Sequence, residues 1–178
     1  MRRAVTTLIV AGVAVVGVAG CGGSEGPSAT GTAGVSTSAE AALWDPCTEI
    51  SDEVLAAAGV DPGTEEAGVA GVPQSGWEIC GWRGPDYSLT VYTTDQTIDE
   101  FEQKPGNIDF ADVTIANRQG RQFKVQGDTR NLFCDVVFSA EQGVVQLAVG
   151  NSAIADGLED PCVYLERAGA VLVPTFPN

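Results

Sequence analysis

Histidine does not occur in this chain of 178 residues. That absence removes the Ser-His and Cys-His arrangements of nucleophilic catalysis, in which an imidazole takes the nucleophile's proton. It also removes the commonest nitrogen ligand of zinc, and the cysteines lie too far apart to supply the close ligand pairs of a thiolate site. No Cys-x-x-Cys occurs, which excludes a thioredoxin-like redox motif. Lys104 and Lys124 are the only lysines, and neither sits in a recognisable Ser-Lys motif. Ser75, in Pro73-Gln74-Ser75-Gly76, lacks the strand-to-helix setting of a nucleophile elbow. Basic residues number nine against 24 acidic ones, a formal charge of −15. Phosphate backbones and anionic lipid surfaces repel such a chain, so nucleic-acid binding is excluded as a function class.

What is present begins with an address. Met1-Arg2-Arg3 is followed by an apolar run from Ala4 to Ala19 and by Val18-Ala19-Gly20-Cys21. A cationic start, an apolar stretch and a small-residue cleavage point form a secretory signal. A cysteine at the cleavage point makes it a lipoprotein signal. The run is short for a membrane span of about 20 residues, and Gly20-Cys21 is the wrong flank for one. Residues 1–20 are therefore expected to be a signal peptide, and Cys21 the lipidation site. Arg2 and Arg3 precede Cys21, so a chain starting there carries seven basic residues against 24 acidic ones, a charge of −17. Its membrane contact must then come from covalent lipid, and two or more acyl chains hold a protein where one does not. The expected location is the extracytoplasmic face of the cell membrane. Residues 21–43, rich in Gly, Ser, Thr and Ala, read as a flexible tether. Residues 44–178 are the right length for one domain with one core.

Cys47, Cys80, Cys134 and Cys162 remain, an even number that reads as two disulfides in an exported chain. Ser51, with Asp52 and Glu53 after it, caps a helix that Gly59 closes, and Ile50 and Leu55 are spaced as a hydrophobic staple. Gly59 to Gly76 reads as a loop. Trp77–Trp82 and Ser88–Thr93 flank the turn Gly84-Pro85-Asp86 as strands, with Leu89, Val91 and Thr93 alternating against Ser88, Thr90 and Tyr92. Thr97 and Glu100 form a capping box for a short helix. Further alternation spans Val113–Ile115 and Phe123–Val125 around an expected turn at Gln119-Gly120. Phe133–Phe138 and Val144–Val149 make the last hairpin. Asp160 and Pro161 open a final helix whose apolar face is expected to hold Val163, Leu165, Val171 and Leu172.

Strands segregated from helices indicate an α+β fold, an antiparallel sheet of hairpins with about three helices packed on one face. Asp45-Pro46-Cys47 recurs as Asp160-Pro161-Cys162, while Cys80 and Cys134 each open a hairpin. The echo suggests that each helix cysteine pairs with a strand cysteine. Proximity favours Cys47–Cys80 with Cys134–Cys162, and the nested pairing Cys47–Cys162 with Cys80–Cys134 stays open.

These motifs also carry a likeness. A lipobox, a low-complexity tether, Trp44-Asp45-Pro46-Cys47, Cys80-Gly81-Trp82, Cys134-Asp135-Val136-Val137 and Asp160-Pro161-Cys162, in that order, resemble one family along the whole chain. It is that of actinobacterial lipoproteins built on the domain of unknown function thirty-five fifty-eight. The resemblance implies an extracytoplasmic, disulfide-bonded α+β domain. It implies no activity, because the family is functionally uncharacterised and has no catalytic residues to carry over.

Candidate contacts come from two clusters. Arg118, Arg121, Lys124 and Arg130 crowd one stretch of an otherwise acidic chain, as an anion- or partner-binding patch or, more simply, a solvated hairpin face. Trp77, Trp82, Tyr87 and Tyr92 surround the first hairpin. Aromatics there can line a cleft for a ligand or fill a core, and Trp82, on the strand face of Cys80, reads as core. Asn151, Asp156, Glu159 and Asp160 lack the spacing of a calcium loop. No catalytic residue, metal site or cofactor is expected. The reading is a non-enzymatic binding module for an envelope protein, lipid or glycan. Its alternative is a carboxylate-dependent hydrolase or transferase acting on envelope material, for which 24 acidic residues offer candidates without specificity.

Overall fold

Each helix begins where a side chain accepts a hydrogen bond from one of its first free N–H groups. The computed structural model describes residues 42–155 and 157–178, so Cys21, the expected signal and most of the expected tether lie outside the described residues. Asp45 Oδ1 accepts from Cys47 N at 2.9 Å and starts α1, Pro46–Glu49. Ser51 Oγ accepts from Val54 N and starts α2, Asp52–Ala57. Thr97 and Glu100 complete a reciprocal capping box on α3, Ile98–Gln103. Asp160 Oδ1 accepts from Cys162 N at 2.8 Å and starts α4, Pro161–Leu172. A 3-10 turn, Val173–Thr175, follows.

The strands are β1 (Asp61–Ala67), β2 (Trp77–Arg83), β3 (Tyr87–Thr94), β4 (Asn107–Ile115), β5 (Arg118–Val125), β6 (Phe133–Ala140) and β7 (Gly143–Asn151). They form one seven-stranded sheet in the order β1-β2-β3-β7-β6-β5-β4, every neighbouring pair antiparallel. Two meanders thus meet along β3 and β7. The sulfur atoms are joined as Cys47–Cys80 (S–S 2.04 Å) and Cys134–Cys162 (S–S 2.11 Å), the sequential rather than the nested pairing. Each bridge ties the first turn of a helix to a strand.

Side chains on a strand alternate between faces, so register assigns every residue to one side. Cys80 opposes Val91, Val91 opposes Leu147, and Leu147 opposes Val136, all fully buried. That row and its neighbours Trp82, Leu89, Val149 and Phe138 pack with Leu55 of α2 and with Leu165, Ala168 and Leu172 of α4. This is the main core. The opposite face carries a smaller cluster in which Phe101 of α3 packs with Phe123, Val137 and Val144.

Four expectations need correction. Among the described residues there are four α-helices, and they do not share a face: α3 lies across the sheet from α1, α2 and α4, because Phe101 joins the second cluster. The expected loop from Gly59 to Gly76 contains β1. Asp61-Pro62-Gly63-Thr64-Glu65-Glu66-Ala67 has no strand-forming signal of its own; it pairs with β2 as a bulged edge strand, where proline and charge are tolerated. The β4–β5 turn is Ala116-Asn117, both at positive φ (49° and 66°), not Gln119-Gly120. Gly120 lies within β5, where a Cβ would come within 2.8 Å of Phe138 and Val136. On α4 the buried stripe is Tyr164, Leu165, Ala168, Gly169 and Leu172, while Val163 is exposed and Val171 only half-buried. Among the described residues no helix is long and apolar enough to cross a membrane.

Candidate functional site

Among the described residues α3 alone of the helices packs on the second face of the sheet, and the rest of that face is open. Register stacks three rows there. Gly81, Thr90, Ala148, Asp135 and Phe123 oppose one another across five strands. Ile79, Tyr92, Gln146 and Val137 form the next row, and Ser88, Gly150 and Phe133 the one beyond. The central positions are small: Ser88, Thr90, Ala148 and Gly150 leave the floor low. Large side chains, Trp77, Phe101, Phe123 and Phe133, rise around them. The result is a groove of about 600 Å³, closed at further points by Val69, Gln74 and Ser75 of the β1–β2 loop and by Lys104 and Asn107 after α3.

The aromatic wall is built edge to face. Trp77 meets Tyr92 at 6.3 Å and Phe101 at 6.0 Å between ring centroids, and Phe101 meets Phe123 at 6.2 Å. Such contacts fix ring orientation and add to burial. Lys104 Nζ lies 5.5 Å from the Trp77 ring centroid and 5.7 Å from that of Phe101, within cation–π range.

One charged group lies at the floor. Asp135 is 5 % exposed and accepts a 2.7 Å hydrogen bond from Gln146 Nε2 at Oδ1. Among the described residues its other oxygen has no hydrogen-bond partner and no Lys or Arg nitrogen forms an ion pair with it. Burial pushes its pKa up from 3.8 to about 6, against lowering by the Gln146 hydrogen bond and the Lys124 charge, with Asp128 adding a small upward push. Tyr92, its neighbour on the floor, is raised as well, by burial first and then by Asp135.

The sign of the resulting pH dependence follows from linkage. A raised carboxyl pKa favours the folded state only while the group is protonated; that advantage is complete below the unfolded pKa near 4 and is lost as pH rises through 6. A shift of about two units corresponds to roughly 3 kcal/mol. Asp135→Asn is therefore expected to match the wild type in urea stability at pH 4 and to exceed it by about 2–3 kcal/mol at pH 7.5. Equal stabilities at pH 7.5 would mean that the buried carboxylate carries no such penalty.

The candidate contacts divide. Trp77 and Tyr92 line the groove. Tyr87 does not: it is buried on the opposite face, its hydroxyl donating to the Ala58 carbonyl and its ring 4.8 Å from that of Tyr164. Trp82 is fully buried in the main core. The four basic residues form no common patch. On β5, Arg118 and Lys124 share one strand face and Arg121 takes the other, by the alternation of the strand. Arg118 donates to the carbonyls of Ser139 and Pro177, while Arg121 pairs with Glu102 and Asp112 at 2.7 Å each. Lys124 donates to Asn131 Oδ1 at 2.6 Å, and Arg130 is exposed in the β5–β6 loop. Three of these cations have structural partners, so the solvated, internally paired reading fits them better than an anion site.

Asp135, Gln146 and Lys104 were not expected. A signal for Asp135 exists: it is an acid inside Phe133-Cys134-Asp135-Val136-Val137-Phe138, where every neighbour is apolar. A second signal is that the strand positions alternating with Leu89 and Val149, Ser88-x-Thr90 and Ala148-x-Gly150, carry small residues rather than charges.

A family model described as "Protein of unknown function (DUF3558)" matches residues 16–175. No curated protein and no solved structure matches the chain.

Proposed function

This chain belongs to the DUF3558 family, whose description assigns no activity, and we propose that it is a non-enzymatic binding module whose ligand occupies the groove on the open face of its sheet. The groove itself supports the reading: about 600 Å³ of concave, aromatic-walled space with a few polar groups converging at its floor. The composition of its lining separates binding from hydrolysis. A glycosidase needs two carboxyl groups roughly 5–10 Å apart, and among the described residues Asp135 is the only acid in the lining. On this reading Cys21 carries the lipid that holds the domain at the extracytoplasmic face of the membrane, and residues 21–43 let it reach ligands in the envelope.

The test uses the full chain carrying Cys21→Ala, which on this reading is recovered without detergent and keeps membrane lipid from competing for the probe. Titration with the neutral apolar dye N-phenyl-1-naphthylamine is expected to give a single saturable site. Trp77→Ala and Phe133→Ser should each weaken it about tenfold, a typical loss for an aromatic contact of 1–2 kcal/mol. Tyr87→Phe, on the opposite face, should leave it unchanged. Absence of saturable dye binding, or equal effects of all three substitutions, would remove the groove as the binding site.

A further inference from the structure

The groove has a polarity of its own, running from an apolar mouth to a charged floor. At the mouth, Val69, Val125 and Phe133 are 53 %, 43 % and 48 % exposed, large apolar side chains left open to water beside the cavity they line. At the floor, Asp135 is 95 % withdrawn from solvent, with Oδ2 unpartnered among the described residues. Between them stand the faces and edges of Trp77, Tyr92, Phe101 and Phe123.

Resting on the binding-groove reading, we infer that the ligand is an amphipathic amine: an apolar body lying at the mouth and a protonated amino group seated against Asp135 and Gln146. Three features of the chain favour a cation at the floor over other head groups. A buried carboxylate without an ion pair is the costliest group in the groove, and only a positive donor both satisfies its free oxygen and supplies the missing counter-charge. The aromatic wall attracts cations as well, as Lys104 over Trp77 and Phe101 already illustrates. The chain's charge of −15 draws cations in and repels carboxylate or phosphate heads. The titratable groups around Asp135 are Lys124 of β5, already donating to Asn131, Asp128 of the β5–β6 loop, and the neutral phenol of Tyr92 on β3. Lys104 sits at the wall. None of them forms an ion pair with Asp135 among the described residues.

Three probes of one chain length test this: octylamine, 1-octanol and octanoate, each displacing N-phenyl-1-naphthylamine from the full chain carrying Cys21→Ala. Octylamine is expected to displace the dye at a concentration at least about tenfold below that of 1-octanol, with octanoate weakest, as a charge-assisted hydrogen bond implies. Asp135→Asn should erase the advantage of the amine over the alcohol. In the unsubstituted groove, octylamine should weaken about tenfold between pH 7.5 and pH 5, because a carboxyl with pKa about 6 is then mostly protonated and the competent fraction falls accordingly. The alcohol should show no such dependence. If the dye binds and all three probes displace it alike, or octanoate displaces it best, the amine inference is overturned while the groove stands. If the dye fails to bind, both fall together.

Discussion

Reduction of both disulfides is expected to unfold the domain at 37 °C. The bridges span 33 and 28 residues, and in chain-entropy terms a loop of that size is worth about 3–4 kcal/mol. Their sum, about 7 kcal/mol, is comparable to the whole net stability of an ordinary domain. Cys47→Ala/Cys80→Ala and Cys134→Ala/Cys162→Ala should each lower stability by about 3–4 kcal/mol in a denaturant titration. They should differ in where the protein loosens. Helix α1 has four residues and one buried side chain, Pro46, so without its bridge little holds it to β2. Helix α4 has twelve residues and buries Tyr164, Leu165, Ala168 and Leu172, so it stays docked when its bridge is cut. Hydrogen exchange should therefore quicken around Pro46–Glu49 in the first variant and rise little along Leu165–Leu172 in the second. A loss below 1 kcal/mol for either pair would show that the unfolded chain is already compact enough to make the cross-link redundant.

Trp82→Ala should cost about 3–5 kcal/mol, the range for emptying a large aromatic site. Trp82 is 1 % exposed and stands on the main-core face of β2, cross-strand from Leu89. Trp82→Phe should behave quite differently. The indole Nε1 is buried and has no hydrogen-bond partner among the described residues, and an unsatisfied buried donor costs about 1–3 kcal/mol. Phenylalanine removes that cost while leaving a smaller void, so the two effects offset and the net change should stay within about 1.5 kcal/mol. Urea titrations of the three proteins give the comparison. A Phe variant as unstable as the Ala variant would mean that ring volume alone sets the worth of this site.

The sequence disclosed those parts of the fold that depend on local chemistry. Asp45, Ser51, Thr97 and Asp160 announce their helices through side chains that cap within three residues, and they do so in the structure. Leu89-x-Val91 and its partners announce strands by alternation. What stayed hidden depends on partners distant in sequence. Strand β1 exists because β2 offers it backbone hydrogen bonds, which Asp61–Ala67 does not advertise. The position of α3 depends on Phe101 finding Phe123 and Val137 rather than the main core. The groove was half legible for the same reason. Trp77 and Tyr92 could be nominated from their type and position, but that they meet Asp135 and Gln146 follows from the join between two meanders, and no local pattern encodes it. Tyr87, of the same type and on the same strand as Tyr92, differs only in parity, and parity sends it to the core.

The chain's entry and its last residues meet at one corner, and this sets how the domain carries mechanical load. Gln142 holds Trp44 N through Oε1 and the Ala42 carbonyl through Nε2, and the adjacent Glu141 N–H donates to the Asn178 carbonyl. Thr93 Oγ1 adds a 2.6 Å bond to the Trp44 carbonyl, and the Trp44 ring meets Phe176 at 5.8 Å. A pull applied ahead of Ala42 thus meets first the turn between β6 and β7, two interior strands each paired on both sides, and then the Cys47–Cys80 bridge to β2. The outermost strands, β1 and β4, are not gripped at that corner. Tension on the leading segment is taken first by interior strands. It enters at the end of β7 where Gly143 begins, whereas Gln146, Ala148 and Gly150 carry the groove floor further along the strand.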